Sequence, residues 1–227
     1  MNWSERLKRE FLSGWKPFEV IWLTLFVLAQ IWAYIQAPDS WLAMISGISG
    51  ILCVVLVSKG KISNYLFGLI FAYTYFYVAW SANFLGEMNT VLYVYLPSQF
   101  IGYFMWKNHM QNDHGSASVV AKALTAKGWA TLIIATAVGT LLFVQALRTA
   151  GGSSTGLDGL TTVITVAAQL LMILRYREQW LLWIALNVLS IALWAETPAM
   201  YLMYSAYLLN SLYGFYNWSK LVKQADV

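Results

Sequence analysis

The side chains of this chain that could do chemistry deep in an apolar medium are carboxamides and indoles. The sharpest cluster is Trp180-Leu181-Leu182-Trp183-Ile184-Ala185-Leu186-Asn187. In a helix, spacings of three and four put Trp180, Trp183 and Asn187 on one face. Flat aromatic walls hold a planar ring by stacking and attract cationic charge, while an amide reads hydroxyls or another carboxamide. That is the chemistry of a nucleoside-like ligand. Trp180, nearer a span end, suits an interfacial anchor equally well, whereas Trp183 is too deep for that use. Gln99 and Asn210 each fall a little to the cytoplasmic side of the centre of their own spans, as Asn187 does, so three amides share one level. An amide facing lipid would leave its polar atoms unsatisfied, so each must face protein or a cavity. Hydrogen bonds between helices would meet the same need; three amides at one depth favour a site.

Two further residues bear on movement. Pro97, two residues before Gln99, removes a backbone donor in mid-span, which makes either a hinge or an inert kink. Asn64 opens its span and is a candidate gate residue. Gly102 and Gly214, each four residues before a Trp, suit close helix approach, and Gly47 and Gly50 read the same way.

The missing chemistry excludes several classes. No Asp, Glu, Lys, Arg or His occupies the middle third of any apolar segment. Proton-coupled transport usually needs such a group at depth, so a neutral interior argues for facilitated diffusion. His109 and His114 fall in a polar connection and read as solvated. The single Cys53 sits in the apolar run Ile51–Val57 as filler, which rules out an intrachain disulfide or a thiol pair for metal. With no clustered nucleophile, acid, base or metal ligands, an enzyme is disfavoured, and no cofactor is expected. A pI of 9.1 raises nucleic acid as a partner, but the basic residues form no dense patch.

The elements that must position these groups are membrane spans. With 59% apolar and only 11% charged residues, the chain lacks the polar surface that water demands. Segments able to cross a hydrocarbon core fall at about 20–38, 40–58, 62–86, 88–106, 129–147, 158–174, 179–195 and 197–219, which makes an all-α integral membrane protein of eight transmembrane helices. With the termini on one side, all of the 14 Lys and Arg but Arg148 share that side, and the positive-inside rule makes it the cytoplasm. Asp39, Glu87, Asp158 and Glu196 then lie outside. No small-residue cleavage site follows the first apolar run, so a cleaved signal peptide is not expected. Before that run, Trp3, Leu7 and Phe11 recur at every fourth residue among charges, as in a helix lying in the membrane interface.

The chain also repeats itself. Tyr95-Leu96-Pro97-Ser98-Gln99-Phe100-Ile101-Gly102-Tyr103-Phe104-Met105-Trp106 is answered by Tyr207-Leu208-Leu209-Asn210-Ser211-Leu212-Tyr213-Gly214-Phe215-Tyr216-Asn217-Trp218. Duplication in a membrane protein points to a transporter. The organisation expected is an interfacial segment and additional first span over about 1–38, a three-helix repeat over 40–106, a cytoplasmic loop over 107–128, a linker helix over 129–147, a second repeat over 158–219 and a tail over 220–227. An odd span between two three-span units keeps the copies parallel. Trp183 and Asn187 of the second copy correspond to Gly68 and an apolar position near Phe71 and Ala72 in the first, so the expected site is asymmetric.

The Trp180-x-x-Trp183-x-x-x-Asn187 motif, the Asn64-Tyr65-x-x-Gly68 opening of a span and the paired Gly-aromatic-aromatic-x-Trp endings resemble the bacterial nicotinamide riboside transporter family, PnuC, over about residues 40–220. Tyr65 departs from the Trp that this pattern leads one to expect. The resemblance implies a three-plus-one-plus-three arrangement like a full-length SWEET transporter, a homotrimer in the bacterial inner membrane, and passive uptake of nicotinamide riboside, trapped by cytoplasmic phosphorylation. It also implies that Trp183 and Asn187 contact the riboside, with Asn210 and Gln99 nearby. Relatives that carry thiamine or riboflavin keep another vitamin, or a sugar, as an alternative cargo. A membrane assembly protein whose amides only join helices is the alternative outside transport.

Overall fold

A helix that crosses a membrane satisfies its own backbone, so apolar segments of this length fold as helices and lay their small residues where helices meet. The computed structural model describes residues 3–36, 41–81, 83, 85–113, 116–149, 156–193 and 198–225. The chain divides into two compact units, Met1–Val120 and Ala121–Val227.

The first unit opens with α1 (Trp3–Leu7), which widens into a π-helical turn over Lys8–Leu12. Then come α2 (Pro17–Gln36), α3 (Trp41–Ser58) and α4 (Asn64–Ser81), followed by α5 (Leu85–Thr90), a π-helical stretch over Val91–Tyr95 and α6 (Leu96–Lys107). Helices α2, α3 and α4 pack in sequence, and α4 also packs on α6. The buried face of α3 carries Ser46, Ser49 and Gly50, and a Cβ on Gly50 would lie 3.0 Å from the Phe71 ring of α4. The π-helical stretch ends just before Pro97. Proline cannot donate to the helical ladder and crowds the carbonyl four residues earlier, so a wider turn there accommodates it. The irregularity expected of Pro97 is thus present, as a π stretch on its N-terminal side.

The N-terminal segment is docked on the corner between α3 and α4. Ser63 N donates to Glu10 Oε1 (2.8 Å), Lys61 Nζ donates to the Arg9 carbonyl (2.7 Å), and Phe11 meets Phe67 edge-on at 6.4 Å. Lys59 forms an ion pair with Glu19 and lies 4.6 Å from the Trp15 ring centroid. Burial pushes the Lys59 ammonium below its ordinary pKa, and the Glu19 carboxylate works against that shift.

The polar connection after α6, expected as an aperiodic loop, instead contains a β-hairpin. Strand β1 (Met110–Asp113) pairs antiparallel with β2 (Ser116–Val119), Met110 opposite Val119. Polar side chains hid it because a hairpin held by backbone bonds needs no apolar alternation on a solvated face.

The second unit consists of α7 (Ala126–Thr149), α8 (Gly156–Ile173), α9 (Gln179–Leu193) and α10 (Pro198–Ala225), each packed on the next. Helices α2, α3 and α7 are long and apolar enough to cross a membrane by length and composition. The others are shorter or richer in Tyr, Ser, Thr and Asn. Large apolar side chains stand exposed along α2 (Leu25, Leu28, Trp32, Ile35) and α7 (Ile134, Val138, Leu141), the surface a bilayer covers. Asp39 and Glu196 lie outside the described residues, as does His114. His109 is exposed, with Nδ1 2.8 Å from the Met105 carbonyl.

Both units end a helix in the same way. Gly60 N donates to the Val57 carbonyl and Lys61 N to that of Leu56; Arg175 N donates to the Met172 carbonyl and Tyr176 N to that of Leu171. Each is a Schellman closure around a left-handed residue, Gly60 at φ 66° and Arg175 at φ 69°. The four pairs keep one constant offset in the sequence. Gly60→Val is expected to lower stability more than Gly60→Asn, because Asn tolerates the left-handed region and a β-branched residue does not. Thermal unfolding of the purified protein in detergent measures the difference, about 1 kcal/mol or more.

Candidate functional site

In the second unit α9 carries the cluster that the sequence singled out. Trp180 is 3% exposed and Trp183 is half-buried. The two indoles therefore stand in different surroundings. Trp180 lies against Gly214 of α10, where an added Cβ would fall 2.6 Å from its Cε2 atom, and meets Trp218 edge-on at 6.3 Å. Its ring is packing that sets the spacing of α9 and α10. Trp183, one turn further along, keeps part of its ring accessible.

Asn187, 8% exposed, follows Trp183 by one turn. Its Nδ2 donates to Ser211 Oγ on α10 (3.1 Å), and that hydroxyl donates to the Tyr207 carbonyl (2.8 Å). This chain fixes the rotamer of the carboxamide. Asn210, 4% exposed, is the neighbour of Ser211 in sequence. The structure thus brings α9 and α10 together at the amide level through Asn187 and Ser211. Ser211 was missed from the sequence. Its signal was its register, since it occupies the place in the second copy that Gln99 occupies in the first.

In the first unit Gln99 is 7% exposed, and its Nε2 donates to the Tyr95 carbonyl (3.0 Å) and to Ser98 Oγ (3.3 Å). Its Oε1 has no hydrogen-bond partner among the described residues and lies where a Cβ on Gly68 would project. Gly68 is the counterpart of Trp183, so in one unit an indole stands on the middle helix and in the other a carboxamide from α6 fills that place. Tyr65 lies against Gly102 and meets Trp106 edge-on at 5.1 Å, as Trp180 does with Gly214 and Trp218. The expectation that Gly102 and Gly214 permit close helix approach holds in both units; Gly47 receives the Gln30 side chain in the same manner. Asn64, fully buried at the start of α4, donates from Nδ2 to the Lys61 carbonyl (2.6 Å), which ties it to the corner below. Pro97 lies on the exposed side of α6.

Electrostatically the amide level is neutral: α4, α9 and the stretch of α10 from Tyr204 to Trp218 contain no Asp, Glu, Lys, Arg or His. Among the described residues no group of three or more His, Cys, Asp or Glu could hold a metal ion. Trp183 and Asn187 thus set an aromatic ring beside a bonded carboxamide on one helix.

Apolar helices of this length and number mark a multi-pass membrane protein. The profile of the family described as nicotinamide mononucleotide transporter matches residues 40–220. The chain is 82% identical over 226 residues to the nicotinamide riboside transporter PnuC of Haemophilus influenzae, covering 100% of both. It is 48% identical to the protein of that name from Neisseria mucosa, over 96% of this chain and 86% of that one. A crystal structure of the vitamin B3 transporter PnuC matches 99% of this chain and 100% of its own, with a TM-score of 0.89 at 46% identity. The chain belongs to the nicotinamide mononucleotide transporter family, whose members are transporters and not enzymes. The resemblance read from Trp180, Trp183 and Asn187 is upheld.

Gly102→Ala and Gly214→Ala are each expected to destabilise by about 1–3 kcal/mol, since the new methyl group meets an aromatic ring with no room to shift. Chemical or thermal unfolding in detergent tests both.

Proposed function

We propose that this protein carries nicotinamide riboside into the cell by facilitated diffusion, and that the riboside is trapped by cytoplasmic phosphorylation. The observation that carries the reading is the half-exposed Trp183 one turn from Asn187, whose carboxamide is oriented by Ser211. The pyridinium ring of the riboside is planar and cationic, as an indole face requires, and its carboxamide and ribose hydroxyls match amide partners. Asn210 offers a further amide on α10, Gln99 offers one within its own unit, and Trp180 supports the Trp183 wall from behind. The relatives named nicotinamide riboside transporter support this cargo over thiamine, riboflavin or a sugar. The family description names the mononucleotide, but a phosphate calls for Arg or Lys, and α9, the stretch of α6 from Leu96 to Trp106 and the stretch of α10 from Tyr204 to Trp218 contain none.

In this reading the chain crosses the bacterial inner membrane eight times with both termini cytoplasmic, as three spans, a linker span and three spans, with one additional span before them. The two three-span units rock about the site to expose it to either side, and the π stretch before Pro97 together with Asn64 supplies compliance. The protein works as a homotrimer. The repeated Schellman closures at Gly60 and Arg175 support the duplication.

Asn187→Ala is expected to leave unfolding nearly unchanged and to weaken riboside binding at least tenfold, as calorimetry of the purified protein reads; unchanged binding overturns the assignment. A thermal-shift screen should show a rise with nicotinamide riboside and none with the mononucleotide, thiamine or riboflavin. In vesicles without the trapping kinase and without a proton gradient, riboside should still equilibrate; failure to do so excludes facilitated diffusion.

A further inference from the structure

Helix α9 begins at a corner that is clamped from outside the bundle. The strap Lys122–Leu124, which follows the hairpin, runs beside the Arg175–Glu178 corner: Lys122 N donates to the Arg175 carbonyl (2.8 Å) and Arg177 N donates to the Lys122 carbonyl (2.8 Å). The third bond belongs to a side chain. Glu178, 1% exposed, accepts the Leu124 amide at Oε2 (3.0 Å) and the Arg177 guanidinium at Oε1 (2.9 Å). Lys122 lies 5.2 Å from the Tyr176 ring centroid, on the same strap. A buried carboxylate is costly unless its oxygens are met, and here both are. Its position immediately before the first turn of α9 is also where the helix dipole favours negative charge.

The corresponding corner of the first unit carries the same kind of clamp with the roles exchanged. There the corner supplies the amide, Ser63 N, and the carboxylate comes from outside, from Glu10. Ser63 and Glu178 stand at the same register relative to Gly60 and Arg175. Two units that differ in sequence have each kept one carboxylate-to-amide bond at the start of the middle helix.

We infer that Glu178 is a positioning residue for the binding face of α9. Trp183 and Asn187 lie about 7 and 13 Å along a continuous helix from Glu178, and a helix moves as a rod when its first turn shifts or rotates. Holding the strap at Leu124 therefore sets the height and rotation at which the indole and the carboxamide are presented. This inference rests on the site proposed above.

The test uses the full-length protein in detergent and in proteoliposomes. Glu178→Ala removes both bonds, Glu178→Gln keeps an acceptor for Leu124 N and loses the charge together with the acceptor for Arg177, and Leu124→Pro removes the amide without touching the carboxylate. Hydrogen exchange in the first two turns of α9 should rise at least tenfold in Glu178→Ala and Leu124→Pro, and Glu178→Gln should restore most of the protection. Riboside binding, by calorimetry, should weaken about tenfold in the same two variants and recover in Glu178→Gln, with the unfolding temperature of Glu178→Gln close to that of the parent. If Glu178→Ala binds as the parent does, or if Glu178→Gln fails to restore protection, the inference is overturned. Failure of the parent itself to bind riboside would overturn the proposed cargo, and the exchange measurement would still decide the clamp.

Discussion

Helices in a bilayer gain nothing from hiding apolar surface from one another, so what fixes their spacing is steric fit and the few polar bonds that cross between them. In this protein the fit comes from one contact made twice, an aromatic ring laid on a glycine. Tyr65 covers Gly102 beside Trp106, and Trp180 covers Gly214 beside Trp218. The glycine lets the middle and last helices of each unit approach closely, and the ring fills the space so that they cannot slide. Everything nearer the centre of the bilayer depends on that spacing. The Asn187–Ser211 hydrogen bond spans α9 and α10 only because the two backbones are held that close.

Around this contact the two units diverge where a ligand would be held. The middle helix of the first unit has Gly68 and a fully buried Ala72, and Gln99 reaches across from α6 into the space that Gly68 leaves. The middle helix of the second unit presents Trp183 and then Asn187. One scaffold thus offers a carboxamide from its third helix in one unit, and an indole with a carboxamide from its middle helix in the other. The neutrality of these helices fits the transport class, because a cationic ring is held by aromatic faces without a counter-ion at depth.

Outside the helices the corners carry the charged chemistry. Glu19 with Lys59, Glu10 with Ser63, and Glu178 with Leu124 and Arg177 join segments distant in sequence to the turns from which the middle helices start. These bonds lie at the ends of the helices, where the Schellman closures already fix the chain direction. The rigid parts of each unit are therefore its corners and its ring-on-glycine contact. The helical ladder is irregular at the π stretch before Pro97 and at the π turn over Lys8–Leu12.

The sequence by itself determined the helical class and the apolar segments, because each follows from local composition: long runs without charge whose backbones must bond internally. That Trp183 and Asn187 lie one turn apart on one helix was also legible, since spacing along one helix is local information. The separate roles of Trp180 and Trp183, the Ser211 bond that orients Asn187, the Gln99 carboxamide set over Gly68, the hairpin in the polar connection and the clamp of Glu178 on Leu124 were decided only by the tertiary structure. Each of these depends on which residue faces a given side chain across a helix pair or a strap, and no periodicity within one segment encodes the identity of a neighbour that lies tens of residues away.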